Sequence, residues 1–126
     1  MKVFINNIPE FEKDIRETAI KVIKGENLQG ELSVTFVNDR EMKNLNKKYK
    51  NRDCTTDVLS FHFDIPDIMG DVYISVPQAK RQKEQDLLFE LKLLTLHGIL
   101  HLAGYNDETE EQRKIMRKKE QEYLQE

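Results

Sequence analysis

Apolar positions along this chain recur in two rhythms. Between Pro9 and Lys24 the residues Phe11, Ile15, Ala19, Ile20, Val22 and Ile23 fall three or four apart, which predicts an amphipathic helix with one inward stripe. Gly25 and Gly30 punctuate its end. From Glu31 to Val37 the period drops to two, with Leu32, Val34 and Phe36 on one face, the pattern of a strand. Val3–Ile5, Val58–Phe63 and Asp71–Val76 are three more strand candidates. Asn38 or Asp39 is placed to cap a second helix carrying Met42, Leu45 and Tyr49. Pro77 suits the first turn of a short helix reaching about Glu84.

Leu87–Leu102 follows neither rhythm. It is apolar almost all the way round, which predicts a central helix buried on every side. Gly104 is positioned as a left-handed cap beyond it. Glu108–Tyr123 predicts a last, highly charged helix with Ile115 and Met116 as anchors. The 126 residues contain no repeat and no linker, so strands interspersed with helices predict one layered α+β or α/β domain over residues 1–126. No apolar run approaches the length of a membrane span, and the N-terminal segment lacks the features of a signal peptide. The single cysteine, Cys54, excludes an internal disulfide framework and a multi-cysteine zinc site, and points to a cytoplasmic protein.

The formal net charge of −3 argues against a general nucleic-acid binder, but the charge is unevenly placed. Lys43 to Arg52 holds five Lys or Arg and no acid, a local basic segment suited to phosphate contact.

Chemistry concentrates in His97-Gly-Ile-Leu-His101-Leu-Ala-Gly104-Tyr-Asn-Asp107. Two histidines four apart on a helix project from one face, within reach of a common metal. Gly104 lets the chain turn back so that Asp107 approaches the same ion. Two imidazoles and a carboxylate with an open fourth position form the ligand set of a catalytic zinc site. The spacing H-x-x-x-H-x-x-G-x-x-D matches the metzincin zinc loop, whose last ligand is usually His. Zinc peptidases place a Glu directly after the first His as general base; here that position is Gly98, which argues against peptide hydrolysis.

The same string resembles H-G-x-L-H-L-x-G-Y-D-H, the signature of the YbeY family, zinc-dependent endoribonucleases of ribosomal RNA maturation. Asn46-Lys-Lys-Tyr-Lys-Asn-Arg-Asp53 with Thr56-Asp-Val-Leu-Ser-Phe61 resembles that family's N-x-x-Y-R-x-x-D…T-D/N-V-L-S-F-P segment, and Gly70-Asp-Val-Tyr-Ile-Ser75 its G-D-I-x-I-S strand. The resemblance implies a bacterial cytoplasmic protein. It implies an α+β fold with a four-stranded, mostly parallel mixed sheet packed by helices, and a metzincin-like zinc helix. It further implies one Zn²⁺ per chain and single-strand-specific cleavage in 16S rRNA 3′-end maturation and ribosome quality control. The partners it implies are single-stranded RNA, ribosomal RNA and the small ribosomal subunit.

Three positions depart from the family pattern. Asn106-Asp107 stands where the family has Asp-His, so the third ligand is a carboxylate. Lys50 replaces an Arg and supplies a point charge in place of a bidentate fork, a role Arg52 can take over. His62 replaces a Pro; it reads as a partly exposed strand residue, with a spare ligand or proton donor as the alternative.

The expected site therefore has His97, His101 and Asp107 on the metal, with Lys50 and Arg52 offsetting charge on the phosphate. Asp71 reads either as a carboxylate orienting a ligand histidine or as a turn residue, and Asp57 and Ser60 as residues of the cleft or of local caps. Two other functions fit the same residues: a ribosome-associated binding factor with a structural zinc, and a zinc hydrolase of small phosphoesters or amides.

Overall fold

Four strands form one sheet in the order β1-β2-β4-β3, in which β1 (Val3–Asn6), β2 (Glu31–Val37) and β4 (Ile68–Ser75) run parallel and β3 (Val58–His62) runs antiparallel to β4 at one edge. This computed structural model describes residues 2–51 and 56–125. The expected α+β architecture with a mostly parallel mixed sheet is the one observed. Among the described residues five α-helices pack on the sheet or on one another: α1 (Glu12–Gly25), α2 (Asp39–Lys50), α3 (Val76–Gln82), α4 (Leu87–Leu102) and α5 (Glu110–Leu124).

Strand alternation sorts the two faces. Val3, Ile5, Leu32, Val34, Phe36, Val72 and Ile74 are buried in the main core with Ile15, Ala19, Val22 and Ile23 of α1 and Leu91, Leu94, Leu96, Ile99 and Leu100 of α4. The opposite face is only partly covered. There Val37, Met42 and Leu59 form a small second core, flanked by Leu45, Phe61 and Tyr73. Helix α4 packs on β3 and β4 beside α1, which covers β1, and also meets α3 and α5, so most of its circumference is enclosed.

Some boundaries differ from expectation for local reasons. Pro9–Phe11 is a 3-10 turn, and the α-helix proper begins at Glu12. Strand β4 starts at Ile68, three residues before Asp71, because Ile68 pairs with Glu31 before the ladder slips at Leu32. It ends at Ser75, whose hydroxyl accepts from the Gln78 N–H and so starts α3. In α5 Met116 is buried, with Tyr123 and Leu124 packed partly against the core, while Ile115 points outward and is half exposed. Tyr49, expected on the inner stripe of α2, is 55% exposed.

Candidate metal centre

Helix α4 begins at Asp86, whose carboxylate accepts from the Phe89 N–H, and ends in a tight reversal. There the Tyr105 N–H donates to the Leu100 carbonyl at 3.0 Å and the Gly104 N–H to the His101 carbonyl at 3.1 Å. This pair of bonds is a Schellman closure. It requires a left-handed residue, and Gly104 has φ +105°. The chain therefore turns back immediately after His101, as Gly104 predicted. Arg113 then donates to the carbonyls of Asp107 and Glu108, and Thr109 caps α5 in a reciprocal box with Gln112. The start of α5 thus fixes the backbone that carries Asp107.

This route brings three side chains together. His97 Nε2 lies 3.1 Å from His101 Nε2, and both nitrogens lie 3.4 Å from Asp107 Oδ2. Donors placed about 2.0–2.1 Å from a tetrahedral zinc ion are separated by roughly 3.3 Å, so this triangle has the edges such an ion requires. Among the described residues these three converge as a possible metal-binding group. A cavity of about 330 Å³ opens on them, lined also by Lys50, Thr56, Asp57 and Ser60.

Behind the triangle, His97 Nδ1 sits 2.7 Å from Glu120 Oε2. A carboxylate there accepts a hydrogen bond from Nδ1–H, which keeps the proton on Nδ1 and the Nε2 lone pair facing the cavity, the tautomer a metal needs. Burial opposes the charged form of His97. The hydrogen bond and charge of Glu120, followed by Asp107 and Asp57, outweigh it and raise the imidazole pKa above its usual value. Glu120 is itself buried, one turn from Met116 on the inner face of α5. Asp57 is held in place by Gln82 Nε2 at 3.0 Å, which also donates to the buried Glu90 at 2.9 Å.

A second carboxylate ties the surrounding elements. Glu26, at the end of α1 and with a side chain only 10% exposed, accepts from the hydroxyls of Tyr105 and Tyr123 and pairs with Lys119 at 3.6 Å. Tyr105 lies between His101 and Asp107, and Lys119 and Tyr123 flank Glu120. Burial raises the carboxyl pKa of Glu26, but these three partners outweigh it and hold it below its usual value.

A family model described as Endoribonuclease YbeY matches residues 3–126. The chain belongs to this family. Among YbeY relatives, an "Endoribonuclease YbeY" of Geobacillus thermodenitrificans is 35% identical over 98% of this chain and 88% of its own. Another, of Bacillus licheniformis, is 42% identical over 75% of this chain and 70% of its own. A solution structure of a Thermotoga maritima protein superposes with a TM-score of 0.69 at 28% identity, covering 96% of this chain and 85% of that one.

Within this YbeY chain the other expected residues fall as follows. Lys50 ends α2 and lines the cavity, with its ammonium 5.4 Å from the centre of the Phe61 ring. Arg52 lies outside the described residues. His62 is exposed at the end of β3 and lines an adjacent depression, apart from the three donors. Asp71 is neither a turn residue nor behind a histidine. It lies within β4 opposite Phe61, and alternation turns it away from the Val72 face on which α4 packs. The orienting carboxylate is Glu120, which the sequence reading missed: one acid in a helix full of acids carries no distinguishing signal.

Gly98 explains the missing peptidase glutamate. A Cβ there would stand 2.6 Å from Val72 Cγ1 and 3.2 Å from Ser60 Oγ, and that hydroxyl donates to the Gly98 carbonyl at 3.0 Å. The helix touches the sheet at this point with no room for a side chain. No helix of the described residues is long and apolar enough to cross a membrane.

Proposed function

We propose that this chain is a single-domain, zinc-dependent endoribonuclease that hydrolyses phosphodiester bonds of single-stranded RNA. The observation that carries this is the triangle of donor atoms, 3.1–3.4 Å on each edge, opening on a cavity lined by Lys50. We further propose that the ion is one Zn²⁺ per chain and that His97, His101 and Asp107 are its ligands. Ribosomal RNA on the small subunit is the proposed substrate, in 16S rRNA 3′-end maturation and quality control in the cytoplasm. The relatives' name, Endoribonuclease YbeY, supports RNA cleavage.

Bound zinc supplies a water acidified to a pKa of about 7 and a Lewis acid for a phosphoryl oxygen. The chain's own groups do the rest. Glu120 fixes the His97 tautomer. Asp57 lines the cavity, held there by Gln82 Nε2. Lys50, with Arg52, offsets charge growing on the phosphate. Three donors facing a cavity, with no fourth among the described residues, support this reading over a structural zinc, which takes four protein ligands.

The test is cleavage of single-stranded and duplex RNA by the purified chain, before and after chelation and with zinc returned. The expected result is cleavage of the single strand alone, lost with chelator, restored by zinc and absent in His101→Ala. Cleavage by His101→Ala at the parental rate overturns the reading.

A further inference from the structure

The metal-centre cavity continues around the β3 edge. It shares Lys50 and Ser60 with a second depression of about 320 Å³, lined by Tyr49, Phe61, Phe63, Asp71 and Tyr73 on the partly covered face of the sheet. Three features of this depression suit one nucleotide of a single strand.

First, the aromatic rings form an edge-to-face wall that remains open. The Tyr49 and Phe61 centroids are 5.1 Å apart and those of Phe61 and Tyr73 5.8 Å, both edge-to-face, while Tyr49 is more than half exposed and Phe63 about a third. Exposed rings of this kind stack nucleobases. Second, cations surround the rings. Lys48 Nζ stands 5.1 Å from the Tyr49 centroid and Lys50 Nζ 5.4 Å from that of Phe61, at the basic end of α2. A phosphate between the two cavities would meet Lys50. Third, Asp71 is half buried in the wall, and no described group hydrogen-bonds its carboxylate. Burial raises its pKa, the mark of a carboxylate short of donors.

Resting on the endoribonuclease reading above, we propose that this depression holds the base next to the scissile phosphate and that Asp71 makes it prefer guanine. Guanine presents two adjacent donors, N1–H and the N2 amino group, to the two oxygens of a carboxylate. Uracil presents a single N–H between two carbonyl oxygens, which the carboxylate repels. Adenine and cytosine offer one amino donor each and fall between.

Nucleoside monophosphates contain no diester, so binding can be read on the purified full chain without cleavage. NMR titrations with GMP, IMP and UMP make the comparison, since IMP is GMP without the N2 amino group. GMP is expected to bind about tenfold tighter than UMP and several-fold tighter than IMP, the effect of one or two hydrogen bonds to a charged group. The shifts should centre on Tyr49, Phe61 and Asp71. Asp71→Asn should remove the preference while leaving all three bound, and Tyr49→Ala should weaken all three alike. Equal affinities for the three nucleotides on the unaltered protein, or shifts confined to His97 and His101, overturn the proposal. Neither result touches the cleavage reading, and a guanine preference in a protein that cuts no RNA overturns that reading alone.

Discussion

Glu120 reaches from α5 to His97 Nδ1 at 2.7 Å and so orients the ring of a proposed ligand 23 residues away in sequence. Removing its charge while keeping its shape should loosen the metal. Glu120→Gln is expected to weaken zinc binding 10–100-fold, the usual effect of losing such a partner. Competition with a coloured chelator measures it. Unchanged affinity would mean that Glu120 is only a packing residue.

Gly98 should accept no side chain. A methyl group placed 2.6 Å from Val72 Cγ1 must push α4 off the sheet, and Gly98→Ala is expected to cost about 1–3 kcal/mol in urea unfolding. Combining it with Val72→Ala, which clears the contact, should return part of the loss. Full stability in the single variant would show that the helix can shift freely.

Gly104 faces open space, so substitution there meets a backbone cost alone. At φ +105° an alanine is strained, and Gly104→Ala is expected to lose about 1–2 kcal/mol. Because the same turn carries Asp107 back to the histidines, zinc affinity should fall with stability. An affinity that holds while stability drops would separate the two.

Glu26 gives a pH signature. Its carboxyl pKa is lowered in the fold, so its contribution is fully present above the unfolded value near 4.5 and is lost as pH falls through the lower folded value. Unfolding free energy should therefore decline as pH drops below about 4.5, and Glu26→Gln should flatten that decline. Denaturation midpoints between neutral and acid pH test it, and parallel profiles for the two proteins would refute it.

Lys50 should act through charge. Lys50→Ala is expected to reduce the slope of log affinity for single-stranded RNA against log salt by about one. An unchanged slope would remove Lys50 from the phosphate path.

Much of this was written in local pattern. The histidine spacing, the left-handed glycine and the following acid needed only helix geometry to converge, and the all-apolar run from Leu87 to Leu102 needed only the hydrophobic effect to become central. Asp71 was readable too: strict alternation with Val72 and Ile74 already puts it on the opposite face. What was hidden depended on contacts between distant segments. Glu120 and Glu26 look like any surface acids until α5 docks, and the choice of Met116 over Ile115 is made by the rotation of α5 against its neighbours. The start of β4 was obscured because Ile68 is recruited by pairing with Glu31, a partner far away in sequence.

The late position of α5 has a consequence for synthesis. A chain leaving the ribosome N-terminus first exposes His97 and His101 well before the helix that orients one of them and clamps Glu26. Until α5 docks, the His97 ring lacks its partner at Nδ1 and Glu26 lacks Tyr123 and Lys119, so a donor triangle formed early would be held more loosely than the one in the finished fold.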